Sequence, residues 1–257
     1  NGCVYSLRVN LYRTLSGKFI LSTNLKNESK YVKQWVDYWM SHGIEYVTIY
    51  DNESNDVEFL EMVKKLINYD NVIIFRWNYP YKYEESGISC QTCREVHAIW
   101  AHKNAKCLAM FDVDEFVVPG GNLEPNFDLK LFLSNYLRKN GGDDIGAVSV
   151  GCLNFSNFRG LEESGNEFFK ITNCSEEINF HRKKMFVFPK NVEIMNVHHI
   201  VKGKRDVAMQ TREMIFNHYL FLNKKDNNDI PHKKNRGTDK ASFRSLNNKI
   251  LRYLTHN

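Results

Sequence analysis

No apolar run in the 257 residues approaches the about 18 needed for a membrane-spanning helix, so no helical span is expected. Proline is scarce, at 5 residues, and the 14 glycines follow no period, which excludes a collagen-like chain. Neither sign of charge dominates. Thirty-five basic against 30 acidic residues give a net +5, far from the dense basic stripe of a nucleic-acid binder. Six cysteines (Cys3, Cys90, Cys93, Cys107, Cys152 and Cys174) are too few to be a disulfide scaffold in a chain this long. Cys90-x-x-Cys93 has no second pair at zinc-ribbon spacing. The chain begins at Asn1 without a signal-peptide pattern, as a trimmed catalytic region would, so targeting is not legible there.

What is present is an ordinary globular composition, 42% hydrophobic and 25% charged, with aromatics at 13%. That length suits one large α/β domain that folds without metal or disulfide. Strand and helix signals alternate through the first half. Strands are expected at 19–23, 46–50, 72–75 and 107–111. Helices are expected at 28–42, with Val32, Trp35, Val36, Trp39 and Met40 on one face and Gly43 as its stop, at 57–68, with Leu60, Val63, Lys64 and Ile67 on one side, and near 92–102. Short apolar strands separated by helices imply a mostly parallel sheet covered on both faces. Ligands of such sheets bind outside the carboxyl ends of the strands. The second half reads as a helix at 129–140, strands at 147–150, 185–188 and 192–197, loop-rich chain over 154–173 and a mobile Asn/Lys-rich stretch over 223–240. The positive excess collects after position 180, and its ordinary reading is solvated surface.

The strongest local signal is Phe111-Asp112-Val113-Asp114-Glu115-Phe116 at the end of a buried strand. On a strand, residues i and i+2 share a face, so Asp112 and Asp114 can converge. Adjacent carboxylates at an apolar sheet edge repel unless a cation separates them, and Mg²⁺ or Mn²⁺ completed by phosphate oxygens is the natural occupant. A solvated turn or a helix cap remains the plain alternative. The second strand ends in Asp51-Asn52, with Ser54 and Asp56 behind; a carboxylate there can accept from a ribose or base. Asp56 reads better as the cap of the next helix. Asn24, Asn27 and Glu28 stand at the first strand end, where Asn27 can equally cap the following helix. His198, after a late strand, would favour Mn²⁺ over Mg²⁺ as a ligand beside carboxylates.

Taken together, Asn27-Glu28-x9-Tyr38-x4-Gly43-x6-Tyr50-Asp51-Asn52-x-Ser54-x-Asp56, Gln91-x-x-Arg94, and Trp100 leading to Asp112-x-Asp114-Glu115-Phe116 resemble glycosyltransferases of the GT-A fold. The nearest group is family 92 with its viral and bacterial relatives. Val197-His198 and His218-Tyr219 are similar to that group's later signatures. The resemblance covers about residues 18–220 and is strongest over 24–118. It implies a single GT-A (Rossmann-like) domain over 1–257, with a nucleotide-sugar half at about 18–118 and an acceptor half at about 119–257. It also implies a nucleotide-sugar donor, a UDP-sugar, with Mn²⁺ or Mg²⁺ and inversion at the anomeric carbon. On that pattern Asp51 contacts the nucleoside. Asn24, Asn27, Glu28, Gln91 and Arg94 lie near the donor, Asp112 near the ribose or diphosphate or on the metal, and Asp114 and His198 on the metal. The acceptor would be an oligosaccharide or glycoprotein glycan.

An inverting transfer needs a carboxylate to deprotonate the acceptor hydroxyl. Glu162 and Glu163, in the loop 157–163, are the candidates, and Lys202, Lys204, Lys224 and Lys225 could steady the leaving diphosphate. Around 152–160 the chain departs from the family's Phe-Gly-Ser run, which leaves base and acceptor open. A sugar nucleotidyltransferase should carry a Gly-rich loop after the first strand, and Thr23 to Glu28 contains no glycine. A binding protein that had lost catalysis would not be expected to keep both Asp112 and Asp114. The sequons Asn27-Glu28-Ser29 and Asn52-Glu53-Ser54 fall inside the expected donor site, so either they are inaccessible or the protein never meets the glycosylation machinery. With the free-looking cysteines, this favours a cytoplasmic enzyme of viral or AT-rich origin; the Golgi lumen is the alternative for a trimmed domain.

Overall fold

The structure, a computed structural model, describes residues 15–79, 90–120, 127–155, 175 and 177–219. Strands β1 (Phe19–Leu25), β2 (Tyr46–Asp51), β3 (Val72–Arg76), β4 (Cys107–Met110), β5 (Glu115–Pro119), β6 (Ile145–Phe155), β7 (Asn179–Val187), β10 (Arg205–Ala208) and β11 (Met214–Tyr219) build one sheet. Its order is β3-β2-β1-β4-β7-β6-β11-β5, with β10 paired to β6. Strands β8 (Val192–Asn196) and β9 (His199–Gly203) form a separate hairpin. β3, β2, β1 and β4 run parallel, and β7 is antiparallel to both β4 and β6. The expected mostly parallel α/β sheet is present, and the sheet continues through the second half.

Helices α1 (Ser29–Ser41), α2 (Asp56–Leu66), α3 (Cys90–Ala101) and α4 (Leu129–Asn140) complete the layers. The i, i+3, i+4, i+7 spacing of α1 does what it predicts: Val32, Trp35, Val36 and Trp39 are all 0% exposed, in one core with Leu21 and Val47 of the sheet and Phe111 just after β4. Burying each valine contributes about 1.5–3 kcal/mol. Gly43 ends α1 at φ 97°, in the left-handed region where a side chain is disfavoured. The opposite face is covered by α3 and the β8–β9 hairpin, through Ala98, Ile99, Val192 and Met195.

Three expectations are corrected. In α2 the buried residues are Met62 and Leu66, whereas Leu60 (57%) and Ile67 (71%) face solvent. The apolar stripe read from spacing was the wrong side, because α2 docks mainly on α1 and needs little apolar width. Asn55, not Asp56, caps α2, accepting from the Glu58 amide at 3.0 Å. Asn27 does not cap α1; Glu58 of α2 caps it in trans by accepting from the Ser29 amide at 3.1 Å. β5, β9, β10 and β11 were not foreseen, and β6 is longer than expected.

Candidate active site

β1, β2 and β4 are adjacent and parallel, so their carboxyl ends bring Asn24, Asp51 and Asp112 to one edge. The loops there are held by unusual backbone. Among the described residues, Asn27 (φ 56°) and Glu53 (φ 61°) are the non-glycine positions at positive φ, and both lie in these loops. Asn27 links the two loops: its amide donates to Ser54 Oγ at 2.8 Å, and its Oδ1 accepts from the Asn55 amide at 3.0 Å. Asn52 is 1% exposed and donates to the carbonyls of Trp77 and Tyr79, which makes that sequon inaccessible.

Asp51 is 0% exposed, yet neither carboxylate oxygen has a hydrogen-bond partner among the described residues. Its nearest cation among the described residues is Arg76, at 3.4 Å from Oδ2, partly exposed and not hydrogen-bonded to it. Asn24 Oδ1 and Thr23 Oγ1, beside it on β1, are also buried without hydrogen-bond partners among the described residues. Clustered unsatisfied acceptors at a strand edge suit a ligand bearing hydroxyl or N–H donors.

The Asp112-x-Asp114 motif lies in a turn between β4 and β5, not on a strand, so alternation does not align its two carboxylates. The turn is closed by the Glu115 amide donating to the Asp112 carbonyl at 3.0 Å, and the Asp112 amide donates to Glu115 Oε2 at 2.8 Å. From α1, the indole N–H groups of Trp35 and Trp39 both donate to the Glu115 carbonyl, at 3.1 and 3.3 Å, and Tyr38 donates to the Val117 carbonyl at 2.5 Å. The apolar helix face therefore carries polar tips that fix the acidic turn.

Two groups form around it. Asp114, Glu115 and His218 place one ligand atom each within 4.8 Å of one another, and two carboxylates with an imidazole suit Mn²⁺ or Mg²⁺. His218 reaches the turn because β11 pairs antiparallel with β5, opposing His218 to Glu115. Its Nε2 lies 3.5 Å from Asp114 and its Nδ1 3.9 Å from Glu115. Burial opposes charge on His218, but the bond and attraction to Asp114, with Cys152 and Glu115 adding, push its pKa up to about 11. Burial pushes Glu115 up to about 7 despite Lys184 beside it.

The second group centres on Lys184, 5% exposed on β7, whose ammonium lies 2.5 Å from Asp112 Oδ2 and 3.2 Å from Glu115 Oε2. Burial disfavours its charge, but Asp112 and Glu115 hold it protonated, above the usual lysine range. Next to it, Arg94 is 1% exposed, donates to Ser22 Oγ at 3.5 Å and to Glu95 at 3.4 Å, and leaves Nε without a hydrogen-bond partner among the described residues. Burial pushes Glu95 up to about 7, partly offset by Arg94.

The remaining expected residues lie outside these two groups. His198, in the β8–β9 turn, is outside the Asp114–Glu115–His218 group; its Nδ1 is engaged with the Lys183 carbonyl at 2.8 Å, leaving Nε2 as the nitrogen a ligand would take. Glu28 sits at the N-cap of α1 and Gln91 in the first turn of α3. Lys202 pairs with Glu193 at 2.5 Å. Lys204 bonds the Asp143 carbonyl and approaches Asp144, beside the start of β6 and so at the end of that strand away from Asn154, which opposes His218. Glu162, Glu163, Lys224 and Lys225 lie outside the described residues. Sequence reasoning missed Lys184, hidden in a run of four basic residues; its signal was the apolar Met185-Phe186-Val187 that follows. It also gave His218 no ligand role, although the apolar Met214-Ile215-Phe216 just before it marks a buried strand.

The model of glycosyltransferase family 92 matches residues 22–256. A family 92 protein of Arabidopsis thaliana is 26% identical over 209 residues, covering 77% of this chain and 34% of its own length. One of Ricinus communis is 27% identical over 230 residues, covering 85% of this chain and 38% of its own. The chain thus spans about a third of the length of these curated relatives. Among solved structures, a mannosyltransferase from Pyrobaculum calidifontis in complex with GDP-Man and Mn²⁺ is remotely similar, at 12% identity and TM-score 0.41, covering 85% of this chain and 64% of that one. A glucosyl-3-phosphoglycerate synthase from Mycobacterium tuberculosis, in complex with Mn²⁺ and UDP, is more remote, at 13% identity and TM-score 0.31, covering 59% and 48%. With a family match that runs over nearly all of its length, the chain belongs to glycosyltransferase family 92.

Proposed function

We propose that this glycosyltransferase is metal-dependent and inverting, and moves a hexose or pentose from a UDP-sugar to a hydroxyl of an oligosaccharide or glycoprotein glycan. The observation that carries this reading is one sheet edge holding both the Asp114–Glu115–His218 group and the buried carboxylate of Asp51, which has no hydrogen-bond partner among the described residues. The first suits a cation that accompanies a diphosphate, the second a nucleoside.

Asp51 accepts from the nucleoside, with Asn24 Oδ1 beside it as a second acceptor. Asn27 holds the two loops around them. Asp114 holds the cation with His218, whose ring gives up its proton when the cation binds, and with Glu115 behind them; Asp112 presents its second oxygen to the cation or the ribose, and His198 Nε2 is a further donor at the turn nearby. Bound Mn²⁺ or Mg²⁺ would supply Lewis-acid stabilisation of charge on the leaving diphosphate. Arg94 and Gln91 stand on the helix that opens toward the donor. Glu162 or Glu163 takes the proton of the acceptor hydroxyl, a role that rests on sequence position.

The test is a panel of nucleotide-sugars and glycan acceptors, with nucleoside diphosphate release followed by coupled assay and the product's anomeric configuration read by proton NMR. Transfer from a UDP-sugar that needs a divalent ion and inverts the anomeric carbon is the expected result. Release unaffected by EDTA, retention of configuration, or no transfer from any donor would overturn it.

A further inference from the structure

Four acidic side chains, Glu95, Asp112, Asp114 and Glu115, crowd the end of β4 and the start of β5, where the sheet is apolar on both sides. Such a cluster invites a divalent ion by itself, since nearby carboxylates repel one another. Lys184 changes that. β7 runs antiparallel to β4, setting Met185 opposite Met110 and so delivering Lys184 beside the turn from below. Its Nζ takes Asp112 Oδ2 at 2.5 Å and Glu115 Oε2 at 3.2 Å, and the latter oxygen also accepts from the Asp112 amide at 2.8 Å. Each of these two carboxylates is left with its second oxygen, Asp112 Oδ1 and Glu115 Oε1, the latter buried and 3.9 Å from His218 Nδ1. A fixed unit of positive charge also sits behind the cation site. That charge repels a bare divalent ion and attracts a diphosphate.

We propose that Lys184 is a positioning residue that occupies the inner oxygens of Asp112 and Glu115, so that the turn binds a divalent ion weakly alone and firmly only when a nucleoside diphosphate brings compensating negative charge. This rests on the donor-site reading above and deepens it, because it makes donor and metal binding interdependent through one buried ammonium. By linkage, whatever factor the diphosphate adds to metal affinity, the metal adds to diphosphate affinity. Lys184 does not touch the reacting atoms. It acts through Asp112 and Glu115.

The experiment is Mn²⁺ binding to the full chain, measured by EPR of free Mn²⁺ and by calorimetry, with and without UDP, in wild type, Lys184→Met and Lys184→Arg. Wild type should bind Mn²⁺ at least about tenfold more tightly with UDP than without it. Lys184→Met should bind Mn²⁺ alone more tightly, on the order of tenfold, as expected when a unit charge is removed a few ångströms from a divalent ion. The same variant should bind UDP less tightly. Lys184→Arg keeps the charge and should restore wild-type coupling. A merely structural role predicts the opposite pattern, in which Lys184→Met weakens Mn²⁺ and UDP together. That result, or no change in Mn²⁺ affinity, overturns the proposal while leaving the donor-site reading intact. Failure of wild type to bind Mn²⁺ even with UDP overturns both. Removing one partner of a buried ion pair can unfold a protein. Should Lys184→Met not fold, the wild-type measurement still decides, since equal Mn²⁺ affinity with and without UDP refutes the proposal.

Discussion

Asp51→Asn separates a carboxylate kept for a ligand from one kept for the fold. Asp51 is fully buried, and among the described residues its oxygens have no hydrogen-bond partner and its one nearby cation, Arg76, is 3.4 Å away with a side chain 40% exposed. A solvent-screened pair of that kind contributes about 0–1 kcal/mol. Removing the charge also relieves the desolvation of a buried carboxylate, so the ligand-free protein should be as stable as wild type or slightly more so. A hydrogen bond from a nucleoside to a charged acceptor is worth about 1.5–3 kcal/mol, so UDP affinity should fall about ten- to hundredfold. Urea melts of the ligand-free protein and calorimetric titration of UDP in Mn²⁺ read the two quantities separately. A variant that loses about 2 kcal/mol or more of stability while binding UDP within about twofold of wild type would refute the reasoning and make Asp51 a structural ion-pair partner.

His102 supplies a pH prediction. It is 4% exposed, neither ring nitrogen has a partner among the described residues, and burial, with His97 adding, pulls its pKa down to about 4. A depressed folded value means its contribution is fully present above about pH 6.5 and is lost as pH falls toward 4, about 3 kcal/mol in all. Urea denaturation against pH should show that slope in wild type and lose it in His102→Phe; equal slopes would refute it. Asn55→Ala removes the α2 cap and should lower stability by about 1 kcal/mol, whereas Asp56→Ala should change it by less than about half of that. Chemical denaturation of both variants checks the order, and the reverse ranking would restore Asp56 as the cap.

Much of the parallel half was legible because burial on both faces leaves short, continuous apolar runs. Phe19 to Leu21, Tyr46 to Ile49 and Cys107 to Met110 could hardly be anything but inner strands. Trp35 and Trp39 announced the covering helix, though not that their indoles hold the Glu115 carbonyl. The reading of α2 failed because the stripe of Leu60, Val63, Lys64 and Ile67 includes the exposed Leu60 and Ile67, while the docking face needs only Met62 and Leu66. The carboxylates of the site could be read because aspartates after a buried strand have few structural uses. Their cationic and imidazole partners could not. Lys184 and His218 arrive from β7 and β11, more than 70 residues further along, through antiparallel pairings that no local pattern encodes. His198 was singled out because it follows a strand, but the strand it follows belongs to the separate hairpin.

The most direct test of the central claim is calorimetric titration of UDP into the wild-type chain and Asp114→Ala, each in Mn²⁺ and in EDTA. A cation held by Asp114 beside a nucleoside held by Asp51 predicts tight binding for wild type in Mn²⁺ and weak binding in the other three conditions. Binding of equal strength in all four would contradict it.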